Sequence, residues 1–225
     1  MSTHELGIEV EADVRVSALL QVPAQARACY ALAHGAGAGM AHPFMAAVAQ
    51  GLNERGIASL RFNFPYMERG SRRPDVPRLA HATVRAAVAE ASRRLPGLAL
   101  FAGGKSFGGR MTSQAQALSP LPGVRGLVFL GFPLHPAGKP SDERAAHLPD
   151  ITVPMLFLQG TRDELAQLDL LQPLPERLGS RATLQLFEHA DHSFHVPARS
   201  GRTDSQVMDE MLECMASWID ALLKD

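Results

Sequence analysis

Gly104-Lys105-Ser106-Phe107-Gly108 places a serine between two glycines, one residue removed on each side. A serine hydroxyl is a poor nucleophile unless a base takes its proton and an acid orients that base. The glycines suit a turn too tight for neighbouring Cβ atoms, one that forces the serine into a strained backbone conformation and exposes its hydroxyl. The pentapeptide alone is a weak signal. The same residues could form a phosphate-binding or merely tight turn with a passive serine. A Walker A loop is excluded because Ala99 stands where the leading glycine would be needed.

The partners of such a serine should lie on later loops. Gln159-Gly160-Thr161-Arg162-Asp163-Glu164 offers Asp163, with Glu164 in reserve. Glu188-His189-Ala190-Asp191-His192-Ser193-Phe194-His195 offers three histidines, and the chain between Asp163 and His192 is long enough for one βα unit. Asp191 reads as a loop or capping residue, because an adjacent residue does not easily turn back onto its neighbour's ring. The spacing of His189, His192 and His195 could also suggest a metal cluster. No second cluster supplies further ligands, so no metal is expected.

The elements that must position these residues follow from periodicity. Ile8, Val10, Ala12, Val14 and Val16 alternate with Glu9, Glu11, Asp13 and Arg15, which predicts half-buried antiparallel strands. Short apolar runs at Ala28–Ala33, Ile57–Phe64, Leu98–Ala102, Gly126–Phe132 and Met155–Gln159 read as strands, and Ala182–Phe187 as the last strand. Helical stripes fall between them: Phe44 to Leu52, Val84 to Leu95, Met111 to Leu118, one helix over Leu165–Leu178, and a closing stripe of Val207, Met211, Met215, Trp218 and Leu222. Pro65–Pro77 reads as a loop, and Phe132–Thr152 as a loop with at most one short helix. The alternation predicts an α/β fold: one domain over residues 1–225, with a mostly parallel central sheet and helices on both faces. Ligands then bind outside the carboxyl ends of the strands, which is where Ser106, Asp163 and His192 fall.

Composition narrows the function further. The 225 residues are 46% hydrophobic and 20% charged, with a formal net charge of −1. A globular chain without excess positive charge is not expected to bind nucleic acid. The N-terminus lacks a basic flank and an apolar core, and no run approaches the ~20 apolar residues of a membrane span, so neither a secretory leader nor a membrane segment is expected. Cys29 and Cys214 sit in no metal or redox spacing, and a cytoplasmic location is expected.

The chain resembles the α/β-hydrolase superfamily. More narrowly, it is similar to the small dienelactone-hydrolase-like proteins and to hydrolase-like proteins related to testis-expressed and chromatin-complex members. The resemblance is carried by His34-Gly35-Ala36-Gly37, Arg61-Phe62-Asn63-Phe64-Pro65-Tyr66, Gly104–Met111, Phe132-Pro133-Leu134-His135-Pro136, Gly160-Thr161-Arg162-Asp163 and Asp191-His192-Ser193-Phe194. It implies Ser106 as nucleophile, Asp163 as acid and His192 as base, with His189 and His195 as structural or rim residues. The dienelactone hydrolases typically carry cysteine where Ser106 stands, so their substrate does not carry over.

An oxyanion hole should combine the Phe107 N–H with a donor from the loop after the first buried parallel strand. Ala36 is the first choice there and Gly37 the next, although the same glycines could serve only close packing. Gly35-x-Gly37 is also a fragment of a dinucleotide fingerprint, but its third glycine is misplaced and Asn63 stands where a ribose-binding acid belongs. No cofactor is expected. Arg69, Arg72 and Arg73 could attract a carboxylate-bearing or phosphorylated substrate, although a solvated basic loop is the commoner explanation. His135 and Lys139 could close over the pocket or lie on the surface. The short 132–152 segment makes a minimal lid, which suits small soluble acyl substrates. The competing reading is a catalytically silent hydrolase-fold interaction protein.

Overall fold

The computed structural model describes residues 2–224. Strands β1 (Ser2–Glu11) and β2 (Val14–Val22) form the expected antiparallel hairpin, with Ile8 opposite Val16. Both of these residues are buried, while Glu9 and Arg15 on the alternate face are exposed. The remaining strands are β3 (Ala28–Ala33), β4 (Ile57–Phe62), β5 (Ala99–Lys105), β6 (Val124–Leu130), β7 (Met155–Gly160) and β8 (Ala182–Phe187). They assemble into one sheet of order β1-β2-β4-β3-β5-β6-β7-β8. β2 pairs with β4 antiparallel, and every pairing from β4 onward is parallel.

The inner parallel strands β3, β4 and β7 are buried along their whole length because both of their faces are covered, whereas the edge strand β8 leaves Thr183 and Gln185 exposed. Along β3, Cys29, Ala31 and Ala33 enter one core while Ala28, Tyr30 and Leu32 enter the other. Helices α1 (Pro43–Glu54) and α7 (Asp204–Lys224) bury Met45, Val48, Leu52, Val207, Met211 and Met215 on the second face. The first face is covered by α3 (Pro77–Arg94) and α4 (Phe107–Leu118), through Ala80, Val84, Met111 and Ala115. This is a single-domain α/β fold with helices on both faces.

Two segments differ from the expectation. Pro65–Glu68 is one helical turn, α2, where a loop was expected; a proline with φ already preset opens it. Leu165–Leu178 is not one helix but two short ones, α5 (Leu168–Leu171) and α6 (Leu174–Leu178). Pro173 has no N–H to continue α5, and its ring crowds the carbonyl four residues back. Residues 132–152 contain only two single 3-10 turns, Glu143–Ala145 and Leu148–Asp150. The strand order changes direction around β3, flanked by β4 on one side and β5 on the other. The crevice that this creates lies at the carboxyl ends of β3 and β5.

Candidate active site

Ser106 links β5 directly to α4 with φ 49° and ψ −113°, a conformation that costs a non-glycine residue of order 1–3 kcal/mol. Close packing holds it there. A Cβ on Gly104 would lie 2.1 Å from the Ala33 carbonyl oxygen, and one on Gly108 would lie 2.5 Å from the same oxygen. Only glycines let the elbow press against β3. The Ser106 N–H donates to the Leu130 carbonyl at 3.2 Å, and the Ser106 carbonyl accepts the Arg110 N–H at 3.0 Å.

The structure brings Ser106, His192 and Asp163 into one hydrogen-bonded line. The Ser106 Oγ is 2.8 Å from His192 Nε2, and His192 Nδ1 is 2.7 Å from Asp163 Oδ2. The Asp163 side chain is fully buried, whereas that of His192 retains 25% of its exposure. The same carboxylate accepts the Leu165 N–H at 2.8 Å through Oδ1, and the Gln159 amide through Oδ2. Gln159 is itself oriented, because its Oε1 accepts the Phe132 N–H at 2.8 Å and so turns its NH₂ toward Asp163. A carboxylate facing Nδ1 fixes the proton there and leaves Nε2 as the acceptor for the serine proton.

The acid and base loops are also joined through their backbones. Thr161 N–H donates to the Phe187 carbonyl at 3.1 Å and Arg162 N–H to the Ala190 carbonyl at 2.8 Å. Gly160 permits this contact, since a Cβ there would sit 2.3 Å from the Ala190 oxygen. Asp191 shapes the loop by accepting the N–H groups of Ser193 and His195. His189 lies exposed beside Glu188, and His195 pairs with Asp204 at 2.8 Å, which raises its pKa. Glu164 is exposed and stays outside the line. Among the described residues, no cluster of His, Cys, Asp or Glu could hold a metal ion.

On the opposite side of the serine, Ala36 is exposed on the loop after β3, and it lines both cavities that Ser106 lines. Phe107 opens α4, so its N–H has no acceptor within the helix. The N–H of Gly37 is already engaged by the Tyr66 hydroxyl oxygen at 2.9 Å. No such bond is seen for the Ala36 N–H among the described residues. The loop is pinned by His34, which is fully buried. Its Nδ1 lies 2.7 Å from the Gly35 carbonyl and its Nε2 accepts the Phe64 N–H at 3.1 Å. Burial lowers its pKa, in keeping with a neutral ring that donates on one side and accepts on the other.

Three contributions were not read from the sequence. Gln159 sits inside an apolar strand and gives no periodic signal. Lys105 donates from Nζ to the His192 carbonyl and lies 5.9 Å and 5.5 Å from the ring centroids of Phe44 and Phe194. Burial brings its pKa down to about 8, against the opposing pull of Asp163 and Asp191. Arg110 lines the cavity at Ser106, one helical turn beyond the serine. The basic loop takes the solvated form: Arg72 and Arg73 are exposed, and Arg69 pairs with Asp75 at 2.5 Å. His135 is buried and structural, accepting the Gln167 N–H at 3.3 Å, and Lys139 is on the surface.

Two cavities open beside Ser106. One, of about 370 Å³, is walled by Phe44, Met45, Lys105 and His192. The other, of about 460 Å³, is walled by Phe107, Met111, Pro133, Arg110 and Arg144.

Solved structures with this architecture are numerous. A dienelactone hydrolase from Anabaena variabilis superposes with a TM-score of 0.79 at 20% identity, covering 98% of this chain and 97% of that one. An α/β serine hydrolase homologue from Coxiella burnetii gives 0.76 at 18% identity, covering 95% and 97%. A Xanthomonas campestris member described as an α/β serine hydrolase without a lid gives 0.73 at 20% identity, covering 97% and 95%. Residues 26–220 match a family described as an alpha/beta hydrolase domain, and that match spans both the elbow and the loops carrying Asp163 and His192. The chain therefore belongs to the α/β-hydrolase family and is similar to its dienelactone-hydrolase-like members.

Proposed function

We propose that the protein is a serine esterase that cleaves small, soluble acyl compounds through an acyl-enzyme on Ser106. The observation that carries this reading is the unbroken line from Asp163 through His192 to the Ser106 hydroxyl, at 2.7 and 2.8 Å. His192 takes the Ser106 proton as Oγ attacks the carbonyl carbon. The tetrahedral oxyanion is received by the N–H groups of Phe107 and Ala36, at the N-terminus of α4. His192 then returns the proton to the leaving alcohol. Water attacks the acyl-enzyme with His192 again as base, and the acid product leaves. Asp163 holds the imidazole in its productive tautomer throughout. The chemistry needs no cofactor.

The short 132–152 segment supports small substrates. A buried CH₂ contributes roughly 0.8 kcal/mol, and a long chain would need an extended apolar groove to gain that repeatedly. Among the described residues no helix is long and apolar enough to cross a membrane. We take the whole chain as one domain working in the cytoplasm on a small molecule. The test is a series of nitrophenyl esters: chains of about two to four carbons should give higher kcat/KM than those of eight or more, without a jump at a lipid interface. A preference climbing to the longest chains would overturn the small-substrate reading. Absence of turnover on every ester, together with an unreactive serine, would favour a silent interaction protein.

A further inference from the structure

The two cavities at Ser106 carry different cations: Lys105 in the smaller one is engaged by the His192 carbonyl and the rings of Phe44 and Phe194, whereas two arginines stand in the larger. Arg110 projects from α4 and Arg144 from the 3-10 turn at Glu143–Ala145, and both line the larger one. Neither guanidinium takes part in an ion pair or side-chain hydrogen bond among the described residues, and both are half-buried. Desolvation lowers the pKa of both, and Arg144 adds to the effect on Arg110 by repulsion. The one carboxylate in the wall, Asp75, is already committed. Its side chain is 1% exposed and it binds the Arg69 guanidinium and the Tyr66 N–H. The neighbouring His147 is neutral near pH 7, held down to about 4 by burial and then by Arg110. The cavity wall thus keeps two uncompensated, partly dehydrated cations beside the serine. A guanidinium fork matches a planar or tetrahedral oxyanion through paired N–H donors.

We propose that this cavity is an anion subsite, so that the ester cleaved at Ser106 carries a second oxyanion, a carboxylate or a phosphate, held jointly by Arg110 and Arg144. The inference rests on the hydrolytic reading of Ser106 for its reaction, though not for its binding. The ester carbonyl sits at Ser106 and Ala36, and the anion lies across Phe107 and Met111 from it. Ser106 forms the acyl bond as the alcohol departs with the proton from His192. Water then releases the acid, with the distal anion unchanged.

The experiment compares 4-nitrophenyl hemiglutarate with the neutral 4-nitrophenyl valerate on the full chain. Wild type should favour the hemiester by about tenfold or more in kcat/KM, the worth of one charge-assisted hydrogen-bonded contact. Arg110→Gln and Arg144→Gln should each bring that ratio close to one, mainly through KM. A ratio retained in both variants, or a wild type that prefers the neutral ester, overturns the subsite. Direct titration of Ser106→Ala protein with glutarate and with inorganic phosphate reads the subsite without turnover. Binding that disappears in the Arg110→Gln background supports it, and the tighter of the two anions identifies the source. Failure of both anions to bind overturns it, whereas failure of ester turnover with binding intact overturns only the hydrolytic reading.

Discussion

The elbow around Ser106 and the connecting segments 132–152 and 161–178 border the same cavity but are held together differently. At the elbow, backbone meets backbone: Gly104 and Gly108 lie against the Ala33 carbonyl with no room for a methyl group. In these segments one backbone bond, from the His135 N–H to the Leu165 carbonyl, is joined by side-chain contacts: His135 to the Gln167 N–H, Arg177 to Asp142, and Ser113 Oγ to His147 Nε2 at 2.7 Å. Positions 136–140 are exposed throughout. A site built this way fixes the reacting hydroxyl through contacts that few sequences satisfy. Its recognition surface, Arg144 included, sits on residues that can change without disturbing the sheet.

The largest expected effect bears on the point where the two regions meet. Asp163→Asn leaves the fold intact but can present an N–H to His192 Nδ1 and favour the wrong tautomer. Its kcat should fall by about 10⁴-fold, with an unchanged circular dichroism spectrum. A loss below tenfold would detach Asp163 from the line.

The comparison itself is tested by two glycines of positive φ. A methyl group at Gly104 would lie 2.1 Å from a carbonyl oxygen, whereas one at Gly138 would have nothing within 4 Å. Urea unfolding of Gly104→Ala should show a loss of about 3 kcal/mol or more, from overpacking added to backbone strain. Gly138→Ala should lose only about 1 kcal/mol, from its left-handed conformation alone. Equal losses would remove the distinction between the regions.

Gln159→Leu tests the bridge between them. It strips one donor from Asp163 and leaves the Phe132 N–H buried without its acceptor, at a cost of about 1–3 kcal/mol. The same variant should lower kcat more than it raises KM, since the acid loses an orienting partner. A stability loss with unchanged kcat would make Gln159 purely structural.

The smallest effect is pH-dependent. His147 is held at about 4 in the fold against a usual value of 6.5, so between those values the unfolded chain binds the extra proton. Stability is therefore complete above pH 6.5 and is lost as pH falls toward 4. His34, also lowered by burial, acts in the same direction. Melting temperatures measured from pH 7 to pH 4.5 should fall less steeply in His147→Gln, and parallel slopes would rule out its contribution.

The sequence carried the chemistry better than the recognition. Ser106, Asp163 and His192 were legible because each lies on the loop at the carboxyl end of a strand, and the turn glycines are a local signal. Ala36 and Gly37 were both legible as candidate donors, but the contact that already engages the Gly37 N–H comes from Tyr66 on another loop. Gln159 is hidden inside an apolar run, since a strand residue shows nothing of the partner at its end. Arg110 had a usable signal: four residues after Ser106 on the helix that starts there, it shares the serine's side. Arg144 had none, because the 132–152 segment has no period. The single helix expected over 165–178 ignored Pro173 and Pro175, whose missing N–H groups stop α5 from continuing into α6, and α6 itself ends at Gly179, with φ 65°.

Activation of Ser106 as a nucleophile is read most directly by a fluorophosphonate probe, which needs no knowledge of the substrate. Intact-mass and peptide mass spectrometry of the labelled protein should find one adduct per chain, located on Ser106, and none on Ser106→Ala or after His192→Ala. An unlabelled wild type, or an adduct that persists in Ser106→Ala, would contradict the account.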